Sequence, residues 1–182
     1  MVMPGSAGKL LAAGRAGGDT VPHFLLLVAA PLAFEKENAS VAEHPIVGAW
    51  RLVSFAFTGE AAEVMYPLGE SPGGGVIFTA DGYMNLSFMA GGRPAFSADD
   101  ILGGTPEELA AAAGSFVAFG GPYRIEDGAV FIDVKHSLHP NWTGQAHKRL
   151  FQVSDNRLSL RTPEPILLQG KRHSGEATFE RL

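Results

Sequence analysis

The sequence predicts an all-β protein, an antiparallel β-barrel of about eight or nine short strands with one α-helix inserted. Three observations carry this. The 182 residues are 46% hydrophobic but only 18% charged, with 23 glycines and 12 prolines, a balance that suits short strands joined by turns better than a helical bundle. Aromatic and β-branched runs recur along the chain, separated by glycine, aspartate and asparagine. Several of those separators have the chemistry of tight hairpins, so neighbouring strands pair with each other, and closing such a meander removes the exposed edges that invite aggregation.

In chain order, residues 1–20 hold five glycines and no sustained apolar period, the pattern of a leader without fold information. FLLLVAAPLAF, Phe24 to Phe34, is too short to span a bilayer as a helix, which needs about 20 residues, but matches the apolar core of a secretory signal. A small-x-small site, Ser40-Val41-Ala42, follows it. Residues 1–42 are therefore read as a flexible leader with a signal-like segment at 24–34. The protein is secreted or periplasmic if residues 24–42 are a signal peptide, and cytoplasmic otherwise. The barrel domain occupies residues 45–182.

IVGAWRLVSFAF, Ile46 to Phe57, is apolar on both alternating faces and is the first strand. Further strands are expected at 63–66, 75–79, 83–89, 121–125, 129–137, 147–153, 157–161 and 176–181. Asp81-Gly82, Glu126-Asp127-Gly128 and Asp155-Asn156 mark hairpins. Thr105-Pro106-Glu107-Glu108 reads as a capping box with proline at the first helical position and acidic residues where the helix dipole favours them. The helical body is expected to continue through ELAAAAGSFVAF and to stop at Gly120-Gly121. A barrel of about eight strands either fills with side chains or holds one small ligand.

The blocks GAWRLVSF, YPLGESPGG, IFTADGYMNLSFM, RPAFSADD, GTPEELAAA and SLHPNWTG together resemble the lipocalin-like domain family over about Ile46 to Leu182. The Gly48-x-Trp50 start is also similar to the true lipocalins, where the tryptophan closes the barrel base and an arginine of the last strand packs over it. That resemblance implies the same part for Arg181, and a small lipocalin-like barrel with a hydrophobic cavity. It does not imply one reaction, because such barrels include carriers as well as isomerases and cyclases of secondary metabolism. The family pattern frequently carries histidine in the strand before SLxPNW. Ile132 and Asp133 stand there in this chain.

Composition narrows the partners. With 14 basic and 19 acidic residues the net charge is −5, which offers no general attraction to nucleic acid or to an anionic membrane. Residues 45–134 hold three basic and eleven acidic side chains, and residues 135–182 hold eight and four, so the last third is locally positive. No cysteine is present, which removes disulfides and thiolate chemistry. No G-x-S-x-G elbow occurs, and Gly73-Gly74-Gly75 lacks the lysine and helix of a phosphate loop. His136 and His139, three apart, point to opposite faces of a strand, so with His147 they make a poor zinc set. Neither metal nor cofactor is expected.

Two kinds of site remain. Asp133 and His136 are the candidates for proton transfer, since a carboxylate or imidazole inside an apolar barrel is desolvated and its pKa displaced. At most one faces inward, and the alternation with Val130, Ile132 and Val134 favours His136. Tyr83, Tyr123, His136 and Trp142 are the candidates for lining a pocket, with Arg93 and Arg149 as anchors for a carboxylate or enolate. The expected partner is a small apolar or weakly acidic molecule. The chain is then a carrier, an isomerase or cyclase using the same cavity, or a filled barrel serving as an interaction module.

Overall fold

The computed structural model describes residues 41–182; residues 1–40 of the expected leader, with the signal-like segment 24–34, lie outside the described residues, while Val41, at its end, is buried in the core. Eleven strands form one sheet: β1 (Gly48–Gly59), β2 (Val64–Met65), β3 (Gly73–Phe78), β4 (Tyr83–Met89), β5 (Phe116–Glu126), β6 (Ala129–Asp133), β7 (His136–Ser137), β8 (Ala146–Ser154), β9 (Arg157–Arg161), β10 (Ile166–Leu168) and β11 (Lys171–Arg181). Eight of them run antiparallel in the order β1-β3-β4-β5-β6-β8-β9-β11, and β11 pairs back onto β1 from Arg181 against Trp50 to His173 against Gly59. That last pairing closes the barrel. The other three are short additions, with β2 on β1, β7 on β5 and β10 on β11.

Alternation builds the interior. Met84, Leu86 and Phe88 on β4 are buried while the residues between them are exposed, as a strand with one face on a core requires. Val76, Phe78, Phe119, Ile132, Leu158 and Phe179 continue the same lining around the barrel. β1 departs once. Its register against β11 shifts between Leu52 and Ser54, so Val53 bulges outward at 40% exposed while both Leu52 and Phe55 face the core side.

The register also sorts the two ends. Gly48, Phe78 and Tyr83 lie at one end, joined by the β3–β4 hairpin, and Arg157 and Glu180 close the same end. Here Ile46 and Trp50 are fully buried. The Trp50 indole donates to the Ile46 carbonyl at 2.8 Å, and the Arg181 guanidinium lies 4.0 Å from the Trp50 ring centroid. Arg181 donates to the carbonyls of Val47 (3.0 Å) and Pro45 (2.6 Å). The part expected of Arg181 from the resemblance is the one it plays: it clamps the entering chain over the base. The opposite end carries β2, β10, the loop after β4, the helix and the turn after β7.

The turns follow the expected chemistry. Asp127 (φ 48°) and Gly128 (φ 71°) both adopt the left-handed conformation that a two-residue hairpin demands, and Asp155 does so between β8 and β9. Helix α1 (Pro106–Gly114) begins with the capping box intact: Thr105 accepts from Glu108 N–H, and Glu108 accepts from Thr105 N–H at 2.8 Å. Its end differs from expectation. The helix stops at Gly114, and Phe116–Phe119 belongs to β5, because Val117 and Phe119 alternate onto the core opposite Phe88 and Leu86. Gly120-Gly121 lies in mid-strand and is no helix stop. At Gly121 a Cβ would collide with the Asp133 carbonyl oxygen, so the pair admits a close backbone approach.

Candidate ligand-binding site

The functional side chains are placed by β8. Its residues pair with β6 as Val130 to Arg149 and Ile132 to His147, and directly opposite residues of an antiparallel pair share a face. Val130 and Ile132 are fully buried, so His147 and Arg149 point into the barrel. Phe151 and Val153, opposite buried Leu160 and Leu158, complete the set. All four are only partly buried, although the interior residues they oppose are sealed.

Arg149 is a partly buried cation on a strand face it shares with His147, Phe151 and Val153. Its guanidinium donates to the Lys148 carbonyl at 2.8 Å, and removal from water pulls its pKa below the ordinary arginine range. The ion pairs among the described residues are Arg51–Glu180, Arg124–Glu126, Lys135–Asp133 and Arg157–Glu180, and none reaches Arg149. Every described Asp and Glu is exposed except Glu108 and Glu180. Glu108 is engaged in the helix cap, and Glu180 pairs with Arg51 at 2.5 Å.

His147 sits beside it. Burial first, and the neighbouring Arg149 charge second, push its pKa down to about 4, so the imidazole is neutral at physiological pH. Its Nδ1 is buried without a hydrogen-bond partner among the described residues, an arrangement that costs about 1–3 kcal/mol. Two rings meet it edge-on, Phe119 at 5.5 Å and Trp142 at 5.1 Å, and these two meet each other edge-on at 5.6 Å. Trp142 belongs to a 3₁₀ turn, Pro140–Trp142, that opens with the proline. On its other side Trp142 lines an apolar recess of about 370 Å³ with Phe116, Val117, Leu138 and His139. The indole thus stands between that recess and the His147–Arg149 pair.

The remaining sequence candidates separate. His136 was expected to face inward, and it does not. Ile132 pairs with Tyr123 but His136 pairs with Gly120, so four steps on one strand answer three on the other, and the bulge turns His136 outward. Pro122, which has no N–H to give the ladder, occupies the place where the register slips. The exposed His136 ring stacks on Tyr83 with centroids 6.5 Å apart, its Nδ1 3.5 Å from the Tyr83 hydroxyl and its Nε2 3.4 Å from Asn85 Nδ2. Tyr83 is therefore on the outer face as well. Asp133 is also exposed and pairs with Lys135 at 2.9 Å. Arg93 lies on the loop after β4, donating to the Ala112 carbonyl at 3.1 Å with its charge over the Phe116 ring at 5.4 Å. Tyr123 is interior but engaged: its hydroxyl donates to the Thr79 carbonyl at 2.8 Å and its ring meets Phe78 edge-on. Burial, then the Asp81 charge, push its pKa up to about 12. Of the six pocket candidates, Arg149 faces the interior and Trp142 adjoins His147 on the same strand face, while Tyr83 and His136 meet each other on the outer wall.

Sequence reasoning weighed His147 only as a metal ligand. The signal was present in HKRLFQV, where His147, Arg149, Phe151 and Val153 form one alternating set. Among the described residues no group of three or more His, Asp or Glu is placed to hold a metal ion, and no helix is long and apolar enough to cross a membrane.

Comparison with known proteins decides the family. The family model described as "Lipocalin-like domain" matches residues 47–182. The chain belongs to the lipocalin-like domain family. A curated relative from Aspergillus oryzae, named as a 4'-hydroxy-3'-methoxypropiophenone carrier protein, is 29% identical over 107 residues, covering 54% of this chain and 96% of its own length. No solved structure matches. This lipocalin-like barrel therefore has the architecture of a small-molecule binder, and one relative named as a carrier agrees with that.

Proposed function

We propose that the barrel carries a small, largely aromatic or aliphatic molecule in its interior and orients it by one polar group directed at Arg149. The observation that supports this most is the inward guanidinium with no carboxylate partner among the described residues. An interior charge without a counter-charge is costly to fold, and it is tolerable where a ligand supplies the missing partner. The orphan Nδ1 of His147 offers a second polar contact. The faces of Phe119, Trp142 and Phe151 supply the apolar walls that ligand pockets favour. The compound in the relative's name joins a phenol, a methoxy group and a ketone on one aromatic ring, which matches an apolar wall with a single guanidinium.

Turnover in the same interior was the rival reading, with His136 or Asp133 moving the proton. Both side chains are on the outer face, so the geometry favours carriage. Calorimetric titration with 4'-hydroxy-3'-methoxypropiophenone tests the proposal. Binding of the parent in the micromolar range, weakened at least tenfold in Arg149→Met and unchanged in His136→Ala, is expected. Binding unaffected by Arg149→Met contradicts the proposal.

A further inference from the structure

We infer that the barrel takes a weakly acidic ligand, a phenol or an enol, as its conjugate base, so that uptake releases a proton and the bound ligand is a stronger acid than the free one. This rests on the interior reading above and deepens it by assigning the charge state of the guest. The inward face of β8 presents one fixed cation, Arg149, and among the described residues its charge is met by the dipole of the Lys148 carbonyl. Besides the Arg181 clamp at the base and His139 at the recess, the titratable groups that face the interior or its ends are His147 on β8, His173 on β11, Tyr123 on β5 and His44 ahead of β1. His44 sits against Phe151 with ring centroids 5.3 Å apart. His173 is buried with Nδ1 3.2 Å from the Lys171 carbonyl, and Tyr123 is engaged with Thr79. None of these four is an anion at neutral pH, and the described carboxylates are on the outside or in a cap. The interior potential is therefore positive and uncompensated.

A neutral ligand leaves that charge uncompensated. An oxyanion removes it, and a guanidinium binds an oxyanion through charge-assisted, bidentate hydrogen bonds that are roughly twice as strong as neutral ones. Low local dielectric enlarges the difference. The favoured event is heterolysis of the ligand O–H bond: the electron pair stays on oxygen, which becomes the partner of Arg149, and the proton passes to bulk buffer.

The test uses the ultraviolet spectrum of 4'-hydroxy-3'-methoxypropiophenone, because a para-acyl phenolate absorbs at longer wavelength than its phenol. With the full chain in excess, the phenolate band should titrate at a pH at least one unit below that of the free compound, equivalent to at least a tenfold preference for the anion. Calorimetric enthalpies in buffers of different ionisation heat should report close to one proton released per ligand at a pH where the free compound is neutral. The 3',4'-dimethoxy analogue, which cannot ionise, should bind at least tenfold more weakly. Arg149→Met should abolish the shift, and Arg149→Gln, which retains polarity and bulk, serves if the methionine variant does not fold. Binding of the probe with an unmoved phenolate transition overturns the inference and leaves the carrier reading standing. A shift that survives both substitutions overturns the role of Arg149. Absence of binding, seen as no heat and no change in tryptophan fluorescence, removes the carrier reading and this inference together.

Discussion

Arg149 and His147 are one residue apart from neighbours that point to solvent, and that single step decides their chemistry. Desolvation costs the charged form of an imidazole, and a cation beside it adds to the cost. For His147 the folded pKa, about 4, lies below the ordinary value of 6.5, so between those pH values the unfolded chain binds more protons than the folded one. Stability is fully present above pH 6.5 and is lost as pH falls toward 4. His44, lowered by burial as well, acts in the same direction. Melting the parent and His147→Gln between pH 7 and 4.5 should show a steeper loss in the parent, the difference being on the order of 1–2 kcal/mol once solvent screening is allowed for. Equal slopes would place the imidazole in water. Guanidinium chemistry made Arg149 legible as an anchor, whereas alternation misled at His136, because a one-residue slip in pairing reverses every later side chain and nothing in VFIDVKHSL announces it. Only the partner strand does so, through Pro122 and Gly121.

At the scale of the element, local rules were reliable where they concern backbone conformation. The Asp-Gly hairpins and the Thr105 capping box sit where the sequence places them, since those residues are selected by φ and by orphan N–H groups. The helix end was less legible. GSFVAF has helical composition by apolar content alone, and the choice between helix and strand was made by what Val117 and Phe119 meet on β4, a tertiary preference that propensity does not contain. The bulge between β6 and β7 gives this a measurable form. Its backbone lies so close to β5 that a Cβ at Gly121 would overlap the Asp133 carbonyl oxygen and press on Lys135 N. Gly121→Ala should lose about 2–3 kcal/mol in chemical denaturation, as overpacking against backbone does. A loss below about 0.5 kcal/mol would mean that the bulge is absent in solution.

For the whole molecule, eight antiparallel strands closing from β11 onto β1 leave no open edge in the barrel, and its two ends differ. One is sealed by Ile46, Trp50 and Arg181; toward the other lie His147, Trp142 and the recess beside α1. Barrel closure was legible because short strands at regular spacing, joined by hairpins, have few other ways to hide their edges. Which interior positions stay accessible was not legible, because accessibility depends on the fit of all eight strands together. The carrier reading depends on that accessibility and on the polarity of the guest's contact. Nitrogen-resolved NMR of the labelled chain titrated with 4'-hydroxy-3'-methoxypropiophenone addresses both at once. The largest shifts should fall on Arg149 Nε–H, the His147 ring and the Trp142 indole N–H, with Tyr83 and His136 unmoved; shifts confined to Tyr83, Asn85 and His136 on the outer wall would contradict an interior site.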